Sequence, residues 1–461
     1  MNTGASMLAL ALQPGGPGAD PARTGDNLAW LEIFNGYSGV LVASFFVTLA
    51  ATPIMRRLAI AHGIIDRPDD PRKVHKMPIA YLGGVGVYLG IMAGILYSYL
   101  AVRFDGLITP HTGANIDLGT SLADAVPPSI VIGLSVIMLI GLFDDVTGIS
   151  PRLKIAGQLF AAAALALDDV GVKVAQGLLA PTLGELVGNR SLVFAFDAPM
   201  AGQIEFDLIY WTGTIVIAAF VLGACNASNL IDGLDGLLSG VTAIATLGLL
   251  AIGIMMILTE GVSGPRDGQR IVLTLAVLGA CLGFLPHNFN PATIFLGDCG
   301  SMLLGFVAIV IVLTLGDTGR TDLVVAGLIV YAIPIIDTML AIVRRKMSGK
   351  RMSDPDSDHL HHMLKRALGV KGAVFTIYGI AAVFAVIGVL IAAGGARLAY
   401  TLAFIFAAFL MVYSTKMARM RTIEQQITEA ERRFTSQRDQ APQPRATAPA
   451  TTPANGSAAK G

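Results

Sequence analysis

Asn226-Ala-Ser-Asn229-Leu-Ile-Asp232-Gly-Leu-Asp235-Gly236 sets two amides and two carboxylates between apolar runs at 208 to 225 and 237 to 258. Runs of this length are close to the roughly 20 residues that cross a hydrocarbon core, so the stretch reads as a polar connection between two membrane-spanning helices. Its polar residues recur at every third position, which on a helical continuation traces one slowly drifting stripe. Gly233 and Gly236 follow the two aspartates directly and leave room for a ligand or another backbone to come close. The pattern suits a phosphorylated substrate and its metal ion; a polar loop that merely caps two helices is the alternative.

Further apolar runs lie at 39 to 59, 83 to 101, 129 to 143, 153 to 168, 271 to 287, 300 to 315, 322 to 343, 373 to 393 and 398 to 415. With the two that flank the opening stretch, they predict an all-α polytopic membrane protein of about 11 transmembrane helices. The runs beginning at 129, 153 and 300 are short and need flanking residues to reach across. Composition agrees: 54% hydrophobic, 14% charged and a mean hydropathy of +0.67 exclude an ordinary soluble domain. The net charge is zero, which offers no field to nucleic acid. Cys225, Cys281 and Cys299 lie in or beside apolar segments without Cys-x-x-Cys spacing and read as small core residues. Met7 to Leu12 is too short for a secretory signal, so no cleaved targeting peptide is expected. Lys and Arg in alternate connections number 19 on one side and 8 on the other. The positive-inside rule then puts the N-terminus outside and the C-terminus in the cytoplasm.

Four regions follow from the pattern: a flexible N-terminal segment over 1–30, a multi-span domain over 31–415, a charged cytoplasmic helix over 416–438 and a disordered tail over 439–461. Met420, Ile423, Ile427, Ala430 and Phe434 give the third region about two heptads, the pattern of a surface helix. In the outer connection from 170 to 207, two alternating runs flank Pro199 and Gly202 and predict a small β-hairpin.

The carboxylate-bearing connections all emerge on the cytoplasmic side of this topology. The first reads Asp66-Arg-Pro-Asp-Asp-Pro-Arg72-Lys73-Val-His75-Lys76, whose clustered cations suit phosphate as well as anionic lipid. Asp144-Asp145 ends the third run, where two adjacent acids at a membrane edge need a metal, a cation or a shared proton, unless they simply cap the next segment. Asp298 stands in Phe295-Leu-Gly-Asp-Cys-Gly-Ser301 at the start of a span, where helix-entry N–H groups favour anions. Last comes Asp358-His359-Leu-His361-His362 after a basic run; without a fourth ligand or a nearby Cys it reads as phosphate or sugar contact in preference to zinc.

Taken in order, D-x-P-x-x-P-R-K-x-H, the Asp pair, N-x-x-N-x-x-D-G-x-D-G, F-L-G-D-x-G-S and D-H-x-H-H resemble the polyprenyl-phosphate N-acetylhexosamine-1-phosphate transferase superfamily, glycosyltransferase family 4. The likeness runs from about residue 39 to 415 and is nearest to the undecaprenyl-phosphate N-acetylglucosamine-1-phosphate transferase branch. It implies Mg²⁺-dependent transfer, with Mn²⁺ as a substitute, of a sugar 1-phosphate from a UDP-sugar to polyprenyl phosphate in the bacterial inner membrane. UMP is released and a cell-envelope glycan begun. By position, Asn229 and Asp298 would hold the metal, Asp144 would act as base on the lipid phosphate, and Asp145 would support the metal or the geometry. Asp66, Arg72, Lys73, His75, Asn226, Asp232, Asp235, His359, His361 and His362 would bind the substrates. The implied partners are the UDP-sugar, the polyprenyl phosphate and the bilayer, with a homodimer admitted and nucleic acid not. A phospho-MurNAc-pentapeptide transferase is the sister reading, although the D-H-x-H-H stretch resembles the simple amino-sugar branch more. A transporter would instead place polar groups at broken helices near the midplane.

Overall fold

The computed structural model describes residues 29–66, 78–104, 107–108, 125–198, 202–259, 266–347 and 360–394, with isolated positions between 397 and 427. The expected regions 1–30, for all but its last two residues, 416–438 and 439–461, and the eleventh run at 398–415, lie outside the described residues apart from those isolated positions.

The chain is built of long helices: α1 (Ala29–Ala61), α2 (Gly83–Arg103), α3 (Pro128–Thr147), α4 (Pro151–Leu167), a short α5 (Lys173–Leu179), α6 (Leu208–Ile231), α7 (Leu237–Leu258), α8 (Asp267–Asn288), α9 (Gly297–Thr314), α10 (Thr321–Val330), α11 (Ala332–Met347) and α12 (Leu360–Gly394). Among the described residues eight helices are long and apolar enough to cross a membrane, and the pair α10 and α11 would make a ninth. Ten of the eleven expected runs therefore fall on helix, with two departures. α4 has only 17 residues. The run at 322 to 343 is no straight span: α10 and α11 meet at Tyr331 with a bend of 80°. Pro334, in the first turn of α11, lacks the N–H that would tie it back to α10.

The core lies on α9. Inside the protein, 89% of its apolar stretch is buried, 78% of that of α8 and 72% of that of α7, against 28% for α1 and α3. A helix apolar on all sides is stable only when surrounded, and α9 is ringed by α2, α3 and α6 while α8 packs on α1, α2 and α7. Alternating chain direction puts 62 to 66, 78 to 82, 148 to 150, 232 to 236 and 289 to 296 at one end of the bundle and 168 to 198, 202 to 207 and 315 to 320 at the other. At the far end β3 (Val193–Ala198) pairs antiparallel with β4 (Gly202–Asp207), Phe194 facing Phe206. At the polar end β1 (Ile65–Asp66) pairs with β2 (Ile79–Ala80), and Ala80 bridges in parallel to Ile294. Phe295 N–H to the Ala80 carbonyl (2.9 Å) and Gly83 N–H to the Phe295 carbonyl (3.0 Å) strap the first connection to the one before α9.

Candidate active site

α3 stops where Gly148 takes φ +66°, a conformation that favours glycine, and its N–H bonds the Asp144 carbonyl at 2.9 Å. Ser150 caps α4, its hydroxyl accepting from Leu153 N–H at 3.4 Å, and Pro151 opens the helix. This tight reversal turns Lys154 back onto the end of α3. Its ammonium stands 2.6 Å from Asp144 Oδ2 and 2.5 Å from Asp298 Oδ2, so one cation bridges two carboxylates that would otherwise repel. Asp144 also accepts Ile149 N–H at 2.9 Å.

Asp145 faces the other way. Its two oxygens accept the Asp298 and Cys299 N–H groups at 2.8 and 3.0 Å, capping the otherwise orphaned donors that open α9. A bond of this charge-assisted kind contributes about 1.5–3 kcal/mol. The approach depends on glycine: a Cβ on Gly141 would stand 2.4 Å from Cys299 Cα, and one on Gly84 in α2 would stand 2.1 Å from Gly300 N. Three helix ends thus meet within backbone contact, and Asp298 is held at their junction.

α6 supplies the third wall. Asn229 donates to Asp298 Oδ1 (2.8 Å) and Ser301 Oγ (3.0 Å), leaving its amide oxygen without a donor among the described residues. Asn226, one turn back, donates to Gln158 Oε1 at 2.9 Å. The helical stripe expected over 226 to 235 breaks here: α6 ends at Ile231, so only the two asparagines share a helix face, and Asp232 and Asp235 lie on the turn. The reason is local, since Gly236 at φ +76° starts α7 with its N–H on Asn288 Oδ1 at 3.1 Å. Asp235 accepts from Asn290 Nδ2 (2.8 Å) and Ala292 N–H (3.0 Å), fixing the connection before α9. Asp232 is half-buried; lost hydration first, then the fields of Asp298, Asp145 and Asp235, push its carboxyl up to about 8. His361 is buried against Gly233, where an added Cβ would stand 2.4 Å from its Nε2.

The structure therefore gathers Asp144, Asp145, Asn229 and Asp298 into one contact set, with Asp232, Asp235 and His361 bordering it and Asn226 behind. Asp66 sits in β1, on the strapped first connection. Arg72, Lys73, His75 and His359 lie outside the described residues, as does the side chain of His362. Lys154, Ser301 and Gln158 belong to the site although the sequence reading did not select them. Among the described residues no three His, Cys, Asp or Glu side chains are set to enclose a metal. Two hard oxygens, of Asp298 and Asn229, fit Mg²⁺ nonetheless, because that ion is commonly held by one or two protein groups with substrate phosphates and water completing the shell. The Lys154 ammonium between two carboxylates shows that the place favours a cation.

A profile described as Glycosyl transferase family 4 matches residues 127–316, which run from α3 through α9. A probable undecaprenyl-phosphate N-acetylglucosaminyl 1-phosphate transferase of Bacillus subtilis is 30% identical over 375 residues, 80% of this chain and 89% of the relative. A decaprenyl-phosphate N-acetylglucosaminephosphotransferase of Mycolicibacterium smegmatis is 32% identical over 349 residues, 72% of this chain and 76% of the relative. A phospho-N-acetylmuramoyl-pentapeptide-transferase of Bacillus cytotoxicus is 28% identical over 369 residues, covering 77% of this chain and 98% of the relative. The polar helix ends that the matched region brings together, and the extent of these likenesses, leave one conclusion: this multi-pass membrane protein belongs to glycosyl transferase family 4, the polyprenyl-phosphate N-acetylhexosamine-1-phosphate transferases.

Proposed function

We propose that the protein transfers N-acetylglucosamine 1-phosphate from UDP-N-acetylglucosamine to undecaprenyl phosphate, or a like polyprenyl phosphate, on the cytoplasmic face of the inner membrane. The product opens an envelope glycan. The supporting observation is the cation bridge: Lys154 between Asp144 and Asp298, beside Asn229, at helix ends that a lipid phosphate reaches sideways and a nucleotide reaches from water. An oxygen of the lipid phosphate attacks the phosphorus joined to the sugar oxygen. The bond from that phosphorus to the bridging oxygen of the diphosphate breaks, and UMP departs with that oxygen and its electron pair.

Each residue has a part in this. Asp144 takes the proton of the lipid phosphate, and Lys154, already beside it, offers positive charge to the phosphate oxygens as they crowd together. Asn229 and Asp298 would hold Mg²⁺, with Mn²⁺ as a substitute, and the ion would supply positive charge to the diphosphate. Asp145 positions Asp298 by fixing the start of α9. Asp232, Asp235, Asn226 and His361 order the nucleotide and sugar side, and to Asp66, Arg72, Lys73, His75, His359 and His362 falls contact with the phosphates or the sugar.

The test is purified protein with Mg²⁺, undecaprenyl phosphate and a panel of UDP-sugars, scored for UMP and for the lipid-linked product. UDP-N-acetylglucosamine is expected to react, with chelation stopping turnover. Because a muramoyl-pentapeptide transferase also matches over 77% of the chain, UDP-MurNAc-pentapeptide belongs in the panel. Reaction with it alone would move the protein to that branch, and no UMP from any donor would refute the assignment.

A further inference from the structure

Ser301 has no part in the transfer as proposed, yet it is buried in the first turns of α9, on the side of the helix that carries Asp298. Close packing brings its hydroxyl within reach of α6. One turn further along α9, a Cβ on Gly305 would stand 2.4 Å from the Ala224 carbonyl oxygen and 2.6 Å from Ser228 Oγ. The bond that Ser301 makes back to its own helix is poor, its Oγ lying 3.5 Å from the Asp298 carbonyl oxygen. The shorter contact crosses to α6, where Ser301 Oγ accepts Asn229 Nδ2 at 3.0 Å.

Both hydrogens of the Asn229 amide are thereby used. One goes to Asp298 Oδ1 at 2.8 Å and the other to Ser301 Oγ, which leaves the amide oxygen as the end offered to a ligand. The oxygen and nitrogen of a carboxamide are nearly the same size, so packing does not choose which of them faces outward; hydrogen-bond partners do. An ionised carboxylate only accepts, and Asp298 therefore favours this orientation. Asp298 is also the group whose charge a cation draws on, and the Lys154 ammonium already lies 2.5 Å from its Oδ2. Ser301 is neutral and buried, and its hold on the amide does not depend on what Asp298 binds.

We infer that Ser301 is a positioning residue for metal binding: it keeps the Asn229 amide oxygen turned to the cation while Asp298 is engaged, and it acts only through Asn229. This role rests on Asn229 and Asp298 being the metal holders, as proposed above. A serine that only packed α9 against α6 would matter equally whatever stood at 229. One that orients an amide matters only while an amide is there, because the two oxygens of a carboxylate are equivalent.

Mn²⁺ binding to the full-length purified protein, followed by electron paramagnetic resonance, tests this in a cycle of variants. Ser301→Ala is expected to weaken Mn²⁺ binding roughly three- to tenfold, the scale of one neutral hydrogen bond. In an Asn229→Asp background the same change should not weaken it. A loss by the same factor in both backgrounds would make Ser301 structural and overturn the role. An affinity unchanged by Ser301→Ala but lowered by Asn229→Ala would also overturn it, and would leave the metal assignment standing. Mn²⁺ binding indifferent to Asn229→Ala, or absent from the unaltered protein, would remove the metal assignment and the role of Ser301 with it.

Discussion

Asp232 closes α6 with its carboxyl pushed up to about 8, so at neutral pH the metal-free protein holds it protonated. A divalent ion held nearby by Asn229 and Asp298, as proposed, would favour the ionised form, and its binding would expel a proton. Apparent affinity should rise with pH up to about 8, by at most about tenfold per unit, and level off above it. Mn²⁺ titration followed by electron paramagnetic resonance on either side of that pH measures the slope. Asp232→Asn should flatten it; an unchanged slope would assign the proton elsewhere. Lys154 calls for a second experiment, because its ammonium competes with the ion for Asp298 and yet serves the phosphates. Lys154→Met should tighten Mn²⁺ binding about tenfold while lowering turnover about 100-fold or more. A lysine that only held the fold together would lower both. At this scale the sequence was informative in one respect and silent in another. Asp144, Asp145, Asn229 and Asp298 were legible because acids and amides at the ends of apolar runs are costly without a function. Lys154 was not, because a cation near a membrane edge looks like one more orientation signal, and only the reversal at Gly148 and Ser150 brings it onto Asp144.

Between elements, the site depends on how closely three helix ends approach. Gly84→Val would drive a side chain into Gly300 N, and α2 would have to withdraw from α9. The expected cost is about 1–3 kcal/mol of stability, visible as a lower unfolding temperature, together with loss of turnover because Asp298 moves with α9. An unaltered turnover number would show that the start of α9 is placed without α2. Helix positions themselves were readable from hydropathy, since runs near span length have few other uses. The 80° bend at Tyr331 was not read, because the apolar composition continues across it. Its physical cause was present in Pro334, three residues on, where the ladder of hydrogen bonds loses a donor. The bent pair is tied to α6 by the hydrogen bond between Ser228 and Tyr331 hydroxyls, 2.5 Å apart and buried. Tyr331→Phe should cost about 1–2 kcal/mol by leaving Ser228 without that partner, measured by thermal unfolding.

For the whole molecule, the proposed chemistry requires that the end bearing Asp144, Asp298 and Asn229 face the cytoplasm, where UDP-sugars are made. The sequence carries 19 Lys and Arg against 8 over alternate connections, the positive-inside signal for this orientation, and the alternating helices make it a single choice for the entire bundle. One pair of positions decides it. Glu205 is exposed on β4 at the far end, and His62 is exposed just after α1 at the polar end. The three native cysteines are buried, so a single introduced thiol supplies the signal. In intact cells a membrane-impermeant maleimide should label Glu205→Cys and spare His62→Cys until the membrane is opened. Reversed labelling would place the carboxylate cluster outside, away from any UDP-sugar, and the proposed donor would fail even though the helices and their polar junction stayed as described.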